Sequence, residues 1–170
     1  MKNIIAFGAL LALAPSFANA WWDEAWTARR TITLDTSATG VAITAPQSSV
    51  PVAVRLHSGN FDFTAAKEDG SDLRFVAEDD KTVLAHHIER FDSTNELAFV
   101  WVQVPRIAGS NALQHVWLYY GNEKAQPAPA AGLYDAAQWA VYHLSDSSGL
   151  PQDTTAASHH VAGGTATFVP

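Results

Sequence analysis

His86 and His87 stand side by side in the run VLAHHIERF, with Glu89 two residues further on. Imidazole and carboxylate groups bind zinc and related ions, and a closed site gathers three or four of them. Neighbouring strand residues point to opposite faces, so His86 and His87 cannot grip one ion together, whereas His87 and Glu89 share a face. A third ligand would have to come from another strand, and no spacing in the chain supplies it. The expected arrangement is a strand whose outward face carries His87 and Glu89 in water.

Carboxylates are the next chemistry. Glycoside hydrolysis needs two, held about 5 Å or about 6.5–9.5 Å apart across a cleft. Asp69, Asp72, Glu78, Asp79 and Asp80 are close in sequence, but all lie in or beside expected turns, where Asp closes the backbone through its own side chain. Loop oxygens also suit calcium, which makes Asp69, Asp72, Asp79 and Asp80 the calcium candidates, although no EF-hand spacing is present. The chain contains no G-x-S-x-G, no H-E-x-x-H and no glycine-rich phosphate loop. The absence of cysteine excludes thiolate metal sites and thiol nucleophiles. No catalytic residue is assigned, and the chain is expected not to be an enzyme. No cofactor is expected, calcium at the loop acids being the one exception left open.

Aromatic side chains remain. The stretch WWDEAW places Trp21, Trp22 and Trp26 within six residues, and Trp101, Trp117 and Trp139 complete six tryptophans. An exposed indole is a platform for sugar rings and equally a protein-contact hot spot. Trp101 and Trp117 lie mid-strand and are expected in the core, with Trp26 plugging one end of the fold. Trp21 and Trp22 are the ligand-binding candidates.

These residues need a scaffold, and period-two alternation supplies it. Ile32 and Leu34 alternate with Thr31, Thr33 and Asp35; Val52, Val54 and Leu56 alternate with Ala53, Arg55 and His57. Leu73 and Phe75 share a face. NELAFVWVQV and LQHVWLYYG are apolar on both faces, the mark of central strands. Ser58-Gly59-Asn60, Asp69-Gly70, Asp79-Asp80, Asp92-Ser93-Thr94 and Gly109-Ser110-Asn111 are turns between them, and Phe63–Lys67 alone reads as a helical turn. Seven or eight short strands predict an all-β fold, an antiparallel β-sandwich or jelly roll.

The ends set the organisation. Lys2, the apolar run IIAFGALLALA and Ala18-Asn19-Ala20 form a secretory signal peptide over 1–20. This places the mature chain in the periplasm, at the cell surface or outside the cell. With 17 acidic and 10 basic side chains the net charge is -7, which argues against nucleic acid, whose phosphates require a basic patch. The sandwich is expected over 21–122, followed by a Pro- and Ala-rich linker over 123–135. From 136 to 170 the strand-like QWAVYHL and a second strand at TATFVP read as the truncated start of another sandwich, because two strands cannot enclose a core.

Several runs together resemble a known family. They are Trp26 with Arg29-Arg30 and ITLD, then PVAVRLHSGNFDF, DGSDLRFVAEDD, VLAHHIERF, VWVQVP and WLYYGN. Over about Trp22 to Asn122 the chain resembles the prokaryotic domain of unknown function 2341 family. The resemblance implies an exported or envelope protein in which this domain is often followed by a concanavalin-A-like, laminin-G-type lectin sandwich, and AVYHLSDSSGLPQDTTAASHHVAGG looks like the opening of one. It also implies that some relatives carry a MotA/TolQ/ExbB-type proton-channel region of biopolymer transport. It carries over no catalytic residue. The expected function is a non-catalytic recognition or scaffold module that binds a glycan or an envelope protein, meeting a membrane only through a region beyond Pro170. The alternatives are the periplasmic head of an envelope transport protein, or the accessory part of a glycoside hydrolase whose catalytic residues lie further on.

Overall fold

The computed structural model describes residues 21–128, 132–144 and 149–164. The expected signal peptide and the expected strand at 165–170 lie outside the described residues. Among the described residues seven strands form: β1 (Ala28–Thr33), β2 (Gln47–His57), β3 (Arg74–Val76), β4 (Val83–Leu84), β5 (His86–Asp92), β6 (Leu97–Ile107) and β7 (His115–Tyr120). A single 3₁₀ turn, Phe63–Ala65, stands where the helical turn is expected, with Asp62 capping it through a bond from Thr64 N. Among the described residues no helix is long and apolar enough to cross a membrane.

All strand pairs are antiparallel, in a four-stranded sheet of order β1-β7-β3-β4 and a three-stranded sheet of order β2-β6-β5. The fold is the expected all-β sandwich. β6 and β7, apolar on both faces, each have a neighbour on either side, as their composition predicts. Between the sheets alternate residues interlock: Val54 and Leu56 from β2, Phe75 from β3, Val100, Val102 and Val104 from β6, Val116 and Leu118 from β7. The chain passes from one sheet to the other between Leu84 and His86.

Trp101 and Trp117 depart from expectation. They are only half-buried and lie on the outer faces of the two sheets, because the inward positions of their strands fall to Val100, Val102, Val116 and Leu118. Each outer face is covered by chain from outside the strands. Over the four-stranded sheet a second apolar cluster gathers Trp26, Val76, Tyr119 and Ala125, with Trp21, Trp22 and Trp117 against it. Trp26 therefore caps a sheet face and not the end of the sandwich, and its indole N–H donates to the Asp72 carbonyl at 2.6 Å.

The expected linker packs in part. Lys67 Nζ donates to the Ala125 carbonyl at 3.0 Å, and Arg74 donates to the Gln126 carbonyl and lies over the Trp26 ring. Over 138–144, where alternation predicts a strand, one isolated bridge forms between Tyr142 and Asp153. Trp139 and Leu144 are 72% and 70% exposed.

Asp72 is fully buried and accepts from three backbone amides: Lys67 N at 3.1 Å, Gly121 N at 2.7 Å and Asn122 N at 3.2 Å. Gly121 has φ +86°, and a Cβ there would sit 2.4 Å from Thr27 Oγ1, so the residue that offers the closest amide has to be glycine. Asp72→Ala strips three donors of their acceptor at a cost of about 1–3 kcal/mol each. A loss of at least about 3 kcal/mol is expected in urea denaturation.

His86 gives a second prediction. Its ring packs against Phe75 at 5.1 Å, and burial holds its pKa down from 6.5 to about 4, with the Leu84 carbonyl opposing and the charges of Arg74 and His87 assisting. The unfolded chain takes up this proton near the ordinary value and the folded chain does not. The stabilisation is thus intact above pH 6.5 and is lost as pH falls towards 4, reaching roughly 3 kcal/mol. His86→Phe is expected to flatten the fall in unfolding free energy between pH 7 and pH 4.5.

Candidate functional site

On the outer face of the three-stranded sheet, β5 presents His87 and Glu89 beside Trp101 of β6. His87 pairs directly with Trp101 in the ladder. The register shifts between Ile88 and Arg90, a bulge that leaves Glu89 outside the regular pairing and re-aims its side chain. The Trp101 indole N–H donates to Glu89 Oε2 at 2.5 Å.

The third polar group comes from far along the chain. His143 Nδ1 lies 3.3 Å from Glu89 Oε2, and its ring stands 4.6 Å from that of His87 and 6.2 Å from that of Trp101. On its other side Tyr134 Oη is 3.0 Å from His143 Nε2. The His143 side chain is only 6% exposed, against 34% for Glu89. Burial first, and then the Glu89 charge, pushes the Tyr134 phenol up to about 12. Tyr134 therefore keeps its proton, and the two ring nitrogens of His143 bridge its hydroxyl and the Glu89 carboxylate. His87 is held below its ordinary value by burial and by His143, with Glu89 opposing.

The arrangement is thus a carboxylate, an imidazole and a phenol in a hydrogen-bonded chain, with a second imidazole and an indole closing its sides. Such a chain can fix two segments to each other. Among the described residues no three His, Asp or Glu side chains form a group able to hold a metal ion. His87 and Glu89 do share the outward face, as the two-residue spacing predicts, but under cover and not in open water. His143 was beyond sequence reasoning because 54 residues separate it from Glu89. The only local signal was an apolar-flanked histidine in QWAVYHL.

The remaining candidates are dispersed. Trp21 and Trp22 are half-buried on Tyr119, at ring distances of 5.4 and 5.7 Å. The Trp21 indole N–H donates to the Trp26 carbonyl at 2.6 Å. Arg29 is packed over the rings of Trp21, Trp117 and Tyr119, at 4.8, 4.2 and 5.8 Å. It also donates to Asp80 and to the Tyr119 hydroxyl, at 3.0 and 2.9 Å. Trp21 and Trp22 are thereby parts of an aromatic and guanidinium layer on the four-stranded sheet, on the opposite side of the molecule from His143.

The four calcium candidates are not brought together. Asp69 accepts from Ser71 N at 2.9 Å, and Asp79 accepts from Lys81 N and Thr82 N at 3.0 and 2.9 Å, the turn role. Asp72 is committed to three amides, and Asp80 pairs with Arg29 and accepts from Tyr119 at 2.5 Å.

No match was found among curated proteins or solved structures. A family model does match, over residues 69–157. That range begins at the turn before β3, contains Asp72 and all of β3 to β7, and continues through Tyr134, His143 and Asp153, so it takes in both partners of the Glu89–His143 contact. It starts and ends later than the stretch over which the sequence runs suggest the likeness. On a match that spans more than half of its length, the chain belongs to the family described as Domain of unknown function (DUF2341).

Proposed function

We propose that the chain is a non-catalytic recognition and scaffold module of an exported cell-envelope or surface protein, with a glycan or an envelope protein as its ligand. The observation that carries this reading is the Glu89–His143–Tyr134 chain of hydrogen bonds. The sandwich commits a carboxylate and an indole of its outer face to holding the segment that follows it. That is the work of a support which presents what comes after in a fixed place. The family match across both parts is consistent with their acting as one unit, and the signal-peptide pattern of 1–20 supports export. In this reading the stretch from 136 onward is the approach to a concanavalin-A-like domain, held against the sandwich and presented by it.

Two experiments test it. In Glu89→Ala both the Trp101 N–H and His143 lose their acceptor, and limited proteolysis within 132–144 is expected to accelerate at least tenfold while the sandwich stays resistant. Equal cleavage rates in the two proteins would mean that the contact holds nothing. The mature protein, incubated with cell-envelope material, is expected to be retained on it and to release no reducing sugar. Steady release of sugar ends would make the chain part of a hydrolase and sink the non-catalytic reading.

A further inference from the structure

Trp139 is the largest exposed apolar side chain among the described residues, at 72% exposure, and it is held in place. One face of its indole is stacked on the His159 ring at 4.2 Å and 29°. His159 Nδ1 lies 2.9 Å from the Trp139 carbonyl, and the Tyr142 hydroxyl donates to the His159 carbonyl. Beneath them Asp153, a side chain with no exposure, accepts from Val141 N, Thr155 N and His159 N at 2.8, 3.0 and 2.8 Å. Among the described residues this segment has one isolated β-bridge and contributes to neither apolar cluster, yet it fixes three rings at its surface. Ordering an indole this way while leaving it in water gives the segment little stability. It does lower the entropy cost of binding a flat partner.

We propose that Trp139, His159 and Tyr142 form a stacking platform for a neutral, β-linked pyranose of the gluco configuration. The inference rests on the recognition reading above and gives that reading a site. Four observations select the ligand. The free face of the indole is flat, and a β-gluco ring presents a flat face of axial C–H groups that stacks on it. The rim is polar: Tyr142 and the His159 imidazole are 37% and 37% exposed, within reach of ring hydroxyls. The area is small, because a stable protein interface takes about 800 Å² from each partner and an aromatic residue offers about 150–250 Å². The net charge of -7 disfavours an anionic sugar.

The test uses the whole mature chain, titrated with soluble hexasaccharides of β-linked glucose and of β-linked N-acetylglucosamine and followed by tryptophan fluorescence and calorimetry. Trp139→Ala is expected to weaken binding at least tenfold with unchanged thermal unfolding, and Trp139→Phe to fall between. If the wild type binds and Trp139→Ala binds equally, or if Trp21→Ala or Trp22→Ala abolishes binding instead, the platform is overturned and the recognition reading stands. If neither sugar binds at millimolar concentration but a protein of the envelope is retained, the glycan inference falls and the recognition reading survives through a protein ligand. If nothing binds, both fall.

Discussion

The Asp72 carboxylate is the constraint around which the sandwich is arranged. It is fully buried and accepts from the amide of Lys67, just after the 3₁₀ turn, and from those of Gly121 and Asn122, where β7 ends. Its own carbonyl accepts the Trp26 indole N–H, which brings the N-terminal aromatics onto the same knot. Three stretches of chain, two of them distant in sequence, converge on one residue just before β3. A buried carboxylate is tolerable only when its lone pairs are used, so each stretch is fixed by the need to satisfy the same group. The positive φ of Gly121 follows from this geometry and needs no separate cause.

The second organising fact is that both sheets are covered on their outer faces. Aromatics from 21–26 and Ala125 cover the four-stranded sheet, while Tyr134 and His143 cover part of the three-stranded one. In a simple sandwich the outer positions of the central strands would face water. Here they carry Trp117 and Tyr119 on one side and Trp101 on the other, with His87 of the edge strand β5 beside it. Burial under this cover lowers the pKa of His87 and raises that of Tyr134.

Much of this was legible in the residues. Alternation and turn residues located β1, β2, β3, β6 and β7, and two-faced apolarity identified β6 and β7 as internal to their sheets, whereas VLAHHIERF reads as one strand and divides between the two sheets as β4 and β5. Where the reading went astray, the cause was the same each time. Trp101 and Trp117 satisfy the pattern of core residues because burial under a loop and burial between sheets have the same composition. His143 and Glu89 meet through tertiary contact and a bulge, and periodicity encodes neither. QWAVYHL has the alternation of a strand, but a strand is defined by a neighbour, and Asp153 supplies only a single bridge. The acids at 69, 79 and 80 were correctly placed in turns, and the pairing of Asp80 with Arg29 across 51 residues was not visible.

The positions of Trp21 and His143 have a mechanical consequence. The first is packed on the outer side of one sheet and the second on the outer side of the other. A tensile load applied between these two residues would therefore run through the thickness of the sandwich, from one layer to the other, and not along a single strand. The outer contacts are aromatic stacks and one hydrogen-bonded histidine, each with fewer bonds than the ten-pair β2–β6 ladder. A domain loaded in this way would yield first at these outer contacts and keep its strand ladders.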